Sequence, residues 1–289
     1  MTHPMIQNRI FLVGCSRSGT TLLQCLIAAH SQIISFPESK FFEHLIPSHE
    51  PRRLQWGLAS RQFYPWITQF CTDMGHPERA KHWSKWPLPI RWQVRQFVRE
   101  LDAIALASGH TLWLEKTPEH LHALDWIERD IPDVKVIHLV RNGADVVASL
   151  WDATRRDRAK WGHDHGTIEQ CIQRWTRDIE VARQHLHKPN HHLVRYEALV
   201  ENPRQIMEEL CTFLAIPFEL TMLEDYKTTA KPLMQNRYQN CEPAVTSQIQ
   251  NANATKFFTL FSETEQAEIR EKLAVVDLEG LGAIASSSR

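Results

Sequence analysis

Long apolar runs are missing from this 289-residue chain. No stretch approaches the ~18 uninterrupted apolar residues of a membrane-crossing helix, and no cationic N-terminal segment leads into a long apolar core. Neither a signal peptide nor a membrane span is expected. An excess of one charge is missing too, since 33 Lys and Arg stand against 34 Asp and Glu, a formal balance of −1. No overall field favours nucleic acid or an anionic membrane, so any basic site is local and the ligand is small. Cysteine is sparse: Cys15, Cys25, Cys71, Cys171, Cys211 and Cys241 are scattered without C-x-x-C pairing or the density of a disulfide scaffold. They read as reduced thiols in a cytosol. A completed metal set is also lacking. The pairs His120/His122, His163/His165 and His185/His187 are two apart, which points them to different faces of a helix, and neither these nor His191-His192 are joined by a Cys or carboxylate set. No metal is expected. Asn253-Ala254-Thr255 fits the glycosylation pattern, but without a secretory signal the match is read as chance.

What is present begins at Ile10 to His30, IFLVGCSRSGTTLLQCLIAAH. An apolar strand, Ile10 to Val13, stops at Gly14. A polar loop runs to Gly19, and Thr20-Thr21 open a helix carrying Leu22, Leu23, Leu26 and Ile27. Two glycines allow a tight loop whose N–H groups, with the positive end of the helix, converge where an anion can sit. The Gly-x4-Gly spacing is that of a nucleotide-binding phosphate loop. The lysine that should follow is replaced by Thr20, and a cation appears earlier as Arg17.

Further strand and helix pairs follow. Ile33 to Phe36 is a short strand ending at Pro37-Glu38-Ser39, before an apolar stripe at helical spacing over Phe41 to Ile46. From Pro51 to about Pro89 the texture is irregular, with tryptophans, prolines and basic residues, as suits a lid. Ile90 to Ala107 is helical with a broad apolar face that includes Trp92. Thr111 to Glu115 is a strand, Thr117 is expected as N-cap and Pro118 as the first residue of a helix. Val134 to Val140 is the most strand-like run and ends at Arg141-Asn142-Gly143. A capping box at Thr167 and Gln170 opens a helix to about His187, His192 to Val194 is a strand, and Asn202-Pro203 starts another helix through Phe213. The chain then reads as irregular from Pro217 to Ser262, whose box with Glu265 opens a last helix to about Val275. The alternation defines an α/β fold, three layers with a central parallel sheet, in one domain over 1–289 with an insertion at about 50–108. Gly14 to Thr21, Glu38, Lys116, Arg141 and Tyr196 all fall at carboxyl ends of strands, where such sheets bind ligands.

The segments CSRSGTTLL, FPESKFF, EKTPEH, HLVRNGADVVAS and VRYEALVENPRQ resemble the sulfotransferases that use 3′-phosphoadenosine 5′-phosphosulfate (PAPS) and release 3′-phosphoadenosine 5′-phosphate (PAP). They are similar to the branch of bacterial small-molecule, tyrosylprotein and heparan N-sulfotransferases. The resemblance is good over residues 10 to 40 and 111 to 215 and weak over 50 to 108 and 217 to 261. It implies that Arg17, Ser18, Gly19, Thr20 and Thr21 hold the 5′-phosphosulfate, that Arg141 and Ser149 bind the 3′-phosphate, that Tyr196 lies near the adenine, and that Lys256 belongs to a C-terminal cofactor loop. It implies Glu38 as catalytic base and Lys116 as the cation on the bridging oxygen, without a metal. Of the histidines, only His120 and His122 lie close enough to Lys116 in sequence to approach the acceptor.

Plainer readings exist for each. Glu38 is also an ordinary acidic residue before a helix, Lys116 a solvated strand end, and Arg141 a surface partner for Asp145. The basic run Arg155, Arg156, Arg158 and Lys160 reads as a solvated helix end or as a lining of the cofactor entrance. Trp56, Trp66, Trp83, Trp86 and Trp92 read as packing of the insertion or, where they face the pocket, as contacts to an apolar, aromatic or cationic acceptor. Against a kinase or NTPase stand Thr20 in place of the lysine and Arg141 where an Asp for Mg²⁺ belongs. A non-catalytic nucleotide-binding module would leave Glu38 and Lys116 dispensable. The expected acceptor is a small molecule bearing a hydroxyl or amine, a bacterial natural product such as an alkaloid, in the cytoplasm. Neither nucleic acid nor membrane is an expected partner.

Overall fold

The computed structural model describes residues 5–86, 88–229, 249 and 255–281, with the side chains of 160, 163 and 164 left aside. Cys241, Asn253 and the side chains of Lys160 and His163 therefore lie outside the described residues.

The first strand, β1 (Asn8–Gly14), shows how the sheet is built. Alternate residues of a strand face opposite sides. Ile10 and Leu12 accordingly enter one core, and Phe11 and Val13 another. Four further strands, β2 (Ile33–Ser35), β3 (Leu112–Lys116), β4 (Val134–Val140) and β5 (His191–Arg195), join it in the order β2-β3-β1-β4-β5. All pairs are parallel, with Leu12 opposite Lys116 and Gly14 opposite Leu139. A parallel sheet is buried on both faces, which explains the near-continuous apolar strands. One face is covered by α1 (Thr20–Ala28), α11 (Pro203–Leu214) and α12 (Thr221–Glu224). The other carries α2 (Phe41–Leu45), α4 (Phe63–Asp73), α5 (Ile90–Ala107) and α6 (Leu124–Asp130). Beside these, α7 (Gly143–Arg156) and α9 (Ile168–His185) form a third core with the helices Lys256–Leu260 and Glu263–Leu273.

The expected strands are all present within two residues of their expected ends, and both capping boxes, Thr167/Gln170 and Ser262/Glu265, are formed. Four expectations are corrected. Residues 51–89 are helical in large part, with α3 (Pro51–Gln55), α4 and a 3-10 turn Pro77–His82. The period of α4 is carried by Phe63, Ile67, Phe70 and Cys71, which bury one stripe at roughly 1.5–3 kcal/mol for each large side chain; prolines and tryptophans obscured it. Trp83 alone of the five tryptophans is buried, while Trp56, Trp86 and Trp92 are 77%, 80% and 42% exposed. Thr117 does not cap a helix: Pro118–Ala123 is a 3-10 turn, and the Thr117 hydroxyl donates to Glu115 instead. Finally, α12 and Lys256–Leu260 are helices inside the segment expected to be irregular.

Candidate active site

The loop after β1 is shaped by close approach. A Cβ at Gly14 would lie 2.4 Å from the carbonyl oxygen of Leu139 on β4. At Gly19, with φ +100°, it would lie 2.5 Å from the Tyr196 ring. Both positions need glycine. Arg17 itself takes a left-handed φ of 73°, an uncommon conformation for a residue with a side chain. Ser18 is 1% exposed, and its hydroxyl has no hydrogen-bond partner among the described residues. Among the described residues, the N-cap position of α1, Gly19, supplies no side-chain cap. A buried hydroxyl without a partner and uncapped N–H groups together fit an anionic group at this place.

The strand ends bring the other residues to the same edge. Gln24 on α1 donates to the Phe36 carbonyl at 3.1 Å, fixing the chain as it leaves β2. Glu38 then meets Lys116, the last residue of β3, at 2.9 Å. Burial pushes the Glu38 carboxyl up, but the Lys116 ammonium outweighs it and holds the group below its ordinary value. Lys116 is 4% exposed, so it is not the solvated strand end of the plainer reading.

Sequence reasoning missed the device that holds Glu38 there. Glu115, Ser39, Thr117 and His120 are each 0% exposed. One oxygen of Glu115 accepts from the Ser39 amide at 3.1 Å, the Ser39 hydroxyl at 2.7 Å and Thr117 at 2.6 Å. The other faces His120 Nδ1 at 2.8 Å. Burial raises this carboxyl, and His120 with the hydroxyl donors overcomes it, so the group stays ionised. Lys40 and Phe42 donate their amides to Thr117 Oγ1 at 3.1 Å and to His120 Nε2 at 3.3 Å. The signal was a carboxylate inside an apolar strand: period two puts Glu115 on the face of Trp113, where it must find partners. His120 is thus a buried bracket, and His122 is bonded to Asp178 at 2.8 Å.

Further along the edge, Arg17 Nε donates to Ser149 Oγ at 3.2 Å. Arg141 is 2% exposed, pairs with Asp145 at 2.8 Å and lies over the Tyr196 ring at 4.3 Å. The Asp145 partner of the plainer reading is real, with Arg141 buried and Asp145 half-buried, so the pair is not a solvated surface one. Arg141 and Ser149 are on one edge but not joined directly; Ser149 is reached by Arg17. Lys256 donates to Asp152 of α7 at 2.7 Å, so the C-terminal segment returns to the same helix. Glu119, also missed, accepts from Ser16 of the loop at 2.5 Å.

The histidine expectation needs a correction. Among the described residues, Glu128, His185 and His191 bring three ligand atoms within 4.8 Å of one another. A carboxylate therefore does complete a set, because α6, α9 and β5 meet there. The Lys188 ammonium lies 2.6 Å from Glu128 and 2.9 Å from His185, supplying a cation at the cluster.

A parallel sheet with a glycine loop after its first strand and cations along its carboxyl edge defines an α/β protein of the class that binds ligands at that edge. Comparison with known proteins narrows this. The chain matches the model of the sulfotransferase family over residues 9–220, and it belongs to that family. Its relatives include a protein-tyrosine sulfotransferase of Drosophila melanogaster, 26% identical over 77% of this chain and 41% of that protein. An uncharacterized protein of Aquifex aeolicus is 29% identical over 78% of this chain and 28% of its own length. The chain thus spans less than half of either relative. Among solved structures, the sulfotransferase domain from the curacin biosynthetic pathway has a TM-score of 0.59 and 24% identity, covering 93% of this chain and 98% of that one. That of the Synechococcus PCC 7002 olefin synthase has a TM-score of 0.59 and 21% identity over 96% and 98%. A mouse sulfotransferase complexed with PAP gives a TM-score of 0.53 and 13% identity over 99% and 92%. At these identities the structures establish the shared fold. Among the described residues, no helix is long and apolar enough to cross a membrane.

Proposed function

We propose that this protein transfers the sulfuryl group of PAPS to a hydroxyl or amine of a small molecule, releasing PAP. The observation that carries the reading is the 2.9 Å Glu38–Lys116 pair on the edge that also holds the phosphate loop. The donor supplies a sulfur open to in-line displacement and a phosphate leaving group. Arg17, Ser18, Gly19, Thr20 and Thr21 hold its 5′ end, which the partnerless Ser18 hydroxyl fits. Arg141 and Ser149 take the 3′-phosphate, Tyr196 the adenine side, and Lys256 closes the site from the C-terminal segment. Glu38 accepts the acceptor's proton as its oxygen or nitrogen bonds to sulfur. Lys116 offers its ammonium to the oxygen left on the phosphate as the sulfur–oxygen bond breaks. The Arg141–Asp145 pair gives the 3′-phosphate a preformed guanidinium whose counter-charge it displaces. No metal takes part in this scheme. Residues 50–108 act as the acceptor lid of a single domain, and a natural product, alkaloids included, is the acceptor class.

A second reading, a protein tyrosine as acceptor, draws support from the protein-tyrosine sulfotransferases among the relatives. Calorimetry with PAP and with ADP in EDTA, on the wild type and on Arg141→Ala, tests the donor. Tight PAP binding, weak ADP binding and loss of that preference in the variant are expected. Equal binding of ADP once Mg²⁺ is restored overturns the reading in favour of a phosphoryl-transferring enzyme. Radiolabelled PAPS offered with small hydroxyl and amine acceptors and with tyrosine peptides then separates the two acceptor classes.

A further inference from the structure

Three tryptophans stand out of the surface where a soluble fold would bury them. Trp56 is 77% exposed, Trp86 80% and Trp92 42%. A fully solvated indole is costly in apolar area, and a group of them marks a surface meant to be covered. They share one place. Leu58 and Pro89 form an antiparallel bridge, tied by Ala59 N to the Leu88 carbonyl at 3.0 Å and Ile90 N to the Gly57 carbonyl at 2.8 Å. Each tryptophan lies within three residues of that bridge, so all three issue from a patch about 20 Å across. Leu54, 41% exposed, adds to it from α3.

The charge of this segment is an independent observation. Residues 50–100 hold nine arginines and lysines against Glu50, Asp73, Glu78 and Glu100, a balance of +5 in a chain whose total is −1. Arg53 and Arg61 pair with Glu50, Arg79 with Glu100 and Arg91 with Asp130. Arg52, Lys81, Lys85 and Arg95 are exposed on the same segment. The rest of the protein is therefore net acidic, and this segment meets an anionic surface favourably. The like charge of two such patches disfavours a second copy of the chain covering the patch with the same face. Tryptophan with arginine and lysine is the composition of a bilayer interface, where the ring enters the headgroup layer and the cations answer lipid phosphates.

The same segment is rigidly coupled to the catalytic side. Trp83 and Phe63, beneath the patch, pack on Phe41 of α2, with ring centroids 6.3 Å and 5.4 Å away. Ser60 donates its amide to Leu45 of α2 at 2.9 Å, and Trp66 donates to the Ser39 carbonyl at 2.6 Å, one residue from Glu38.

We propose that residues 51–99 form a docking surface that holds this protein on an anionic lipid bilayer, with Trp56, Trp86 and Trp92 in the headgroup layer, so that the acceptor side of the cleft faces the membrane. This is a peripheral contact and needs no spanning helix.

Co-sedimentation of the full chain with vesicles tests it, comparing phosphatidylcholine alone with phosphatidylcholine containing one third phosphatidylglycerol. Binding to the anionic vesicles alone is expected, reduced about tenfold or more by 0.5 M NaCl. The triple variant Trp56→Ala/Trp86→Ala/Trp92→Ala loses about tenfold or more in partitioning while its far-ultraviolet spectrum and PAP binding stay those of the wild type. Indole fluorescence shifts to the blue on binding in the wild type. Failure to bind anionic vesicles overturns the proposal, as does binding that survives loss of all three tryptophans. If the vesicles are ignored while polyglutamate is retained in a charge-dependent way, the surface belongs to an acidic protein and the lipid assignment falls. The outcome is independent of the acceptor's identity.

Discussion

Glu38 keeps its negative charge in a cleft that would otherwise neutralise it, because Lys116 sits 2.9 Å away. Its carboxyl is held below the ordinary value. A base must be ionised to act, so the acid limb of the rate profile is expected below the ordinary carboxylate range of about 4.3. In Lys116→Met burial is opposed only by the more distant Lys40 ammonium, and the Glu38 titration moves upward. Carboxyl NMR across pH checks the direction, and an unchanged titration in the variant would remove Lys116 as its cause. Glu38→Gln and Lys116→Met should each lower kcat by about 10²–10³-fold with smaller effects on PAP affinity. Retention of full turnover in both would leave only a nucleotide-binding module. Glu38 and Lys116 were legible as strand-end residues joined to recognisable segments. The bracket of Glu115 and His120 was not legible, because a buried bracket is recognised by what surrounds it.

At the scale of elements, the loop between β1 and α1 depends on its neighbours. Gly19→Ala forces a left-handed residue to carry a Cβ against Tyr196, at a cost of about 2 kcal/mol or more. Thermal unfolding should show the loss, and PAP affinity should fall with it. Glu115→Gln removes the charge that gathers Ser39, Thr117 and His120, and about 3 kcal/mol of stability is expected to go. Because Ser39 adjoins Glu38, kcat should fall more than KM changes. A purely structural role would lower the melting temperature and leave kcat of the folded fraction intact. The ends of helices were well legible: Thr167 and Ser262 are both caps with their boxes closed. Capping is local chemistry, decided within four residues. Helix α4 was not legible, since its stripe of Phe63, Ile67, Phe70 and Cys71 is interrupted by Pro65 and Trp66 and gains its stability from α2 and α5.

On the scale of the molecule, the base of the sheet carries a pH response separate from the chemistry. His191 is buried, and burial holds its titration down at about 4 despite Glu128 beside it. His138, bonded to it at 2.8 Å, is also lowered by burial. Unfolding exposes imidazoles that titrate near about 6.5, so below that value the unfolded chain binds more protons. Stability is therefore expected to fall as pH drops from about 6.5 to about 4, by up to ~3 kcal/mol through His191. Glu128, held low by Lys188 and the neighbouring histidines against its burial, adds to the loss below that window. Urea midpoints at several pH values measure the slope, and the double variant His138→Gln/His191→Gln should flatten it. A slope that persists in the variant would place the response elsewhere.

The sequence by itself determined the strand and helix alternation, the glycine loop and the charged residues at strand ends. These rest on local causes: hydrophobic period, caps, and the few residues that allow a tight turn. Tertiary structure alone decided that Glu38 meets Lys116, that Arg17 reaches Ser149 while Arg141 lies on Tyr196, and that Glu115 is surrounded by donors. It also decided which tryptophans are covered. Those outcomes depend on the strand order β2-β3-β1-β4-β5, which brings together residues more than fifty positions apart. The physical reason is that burial and pairing energies belong to neighbours in space, and sequence period specifies only which face a residue occupies.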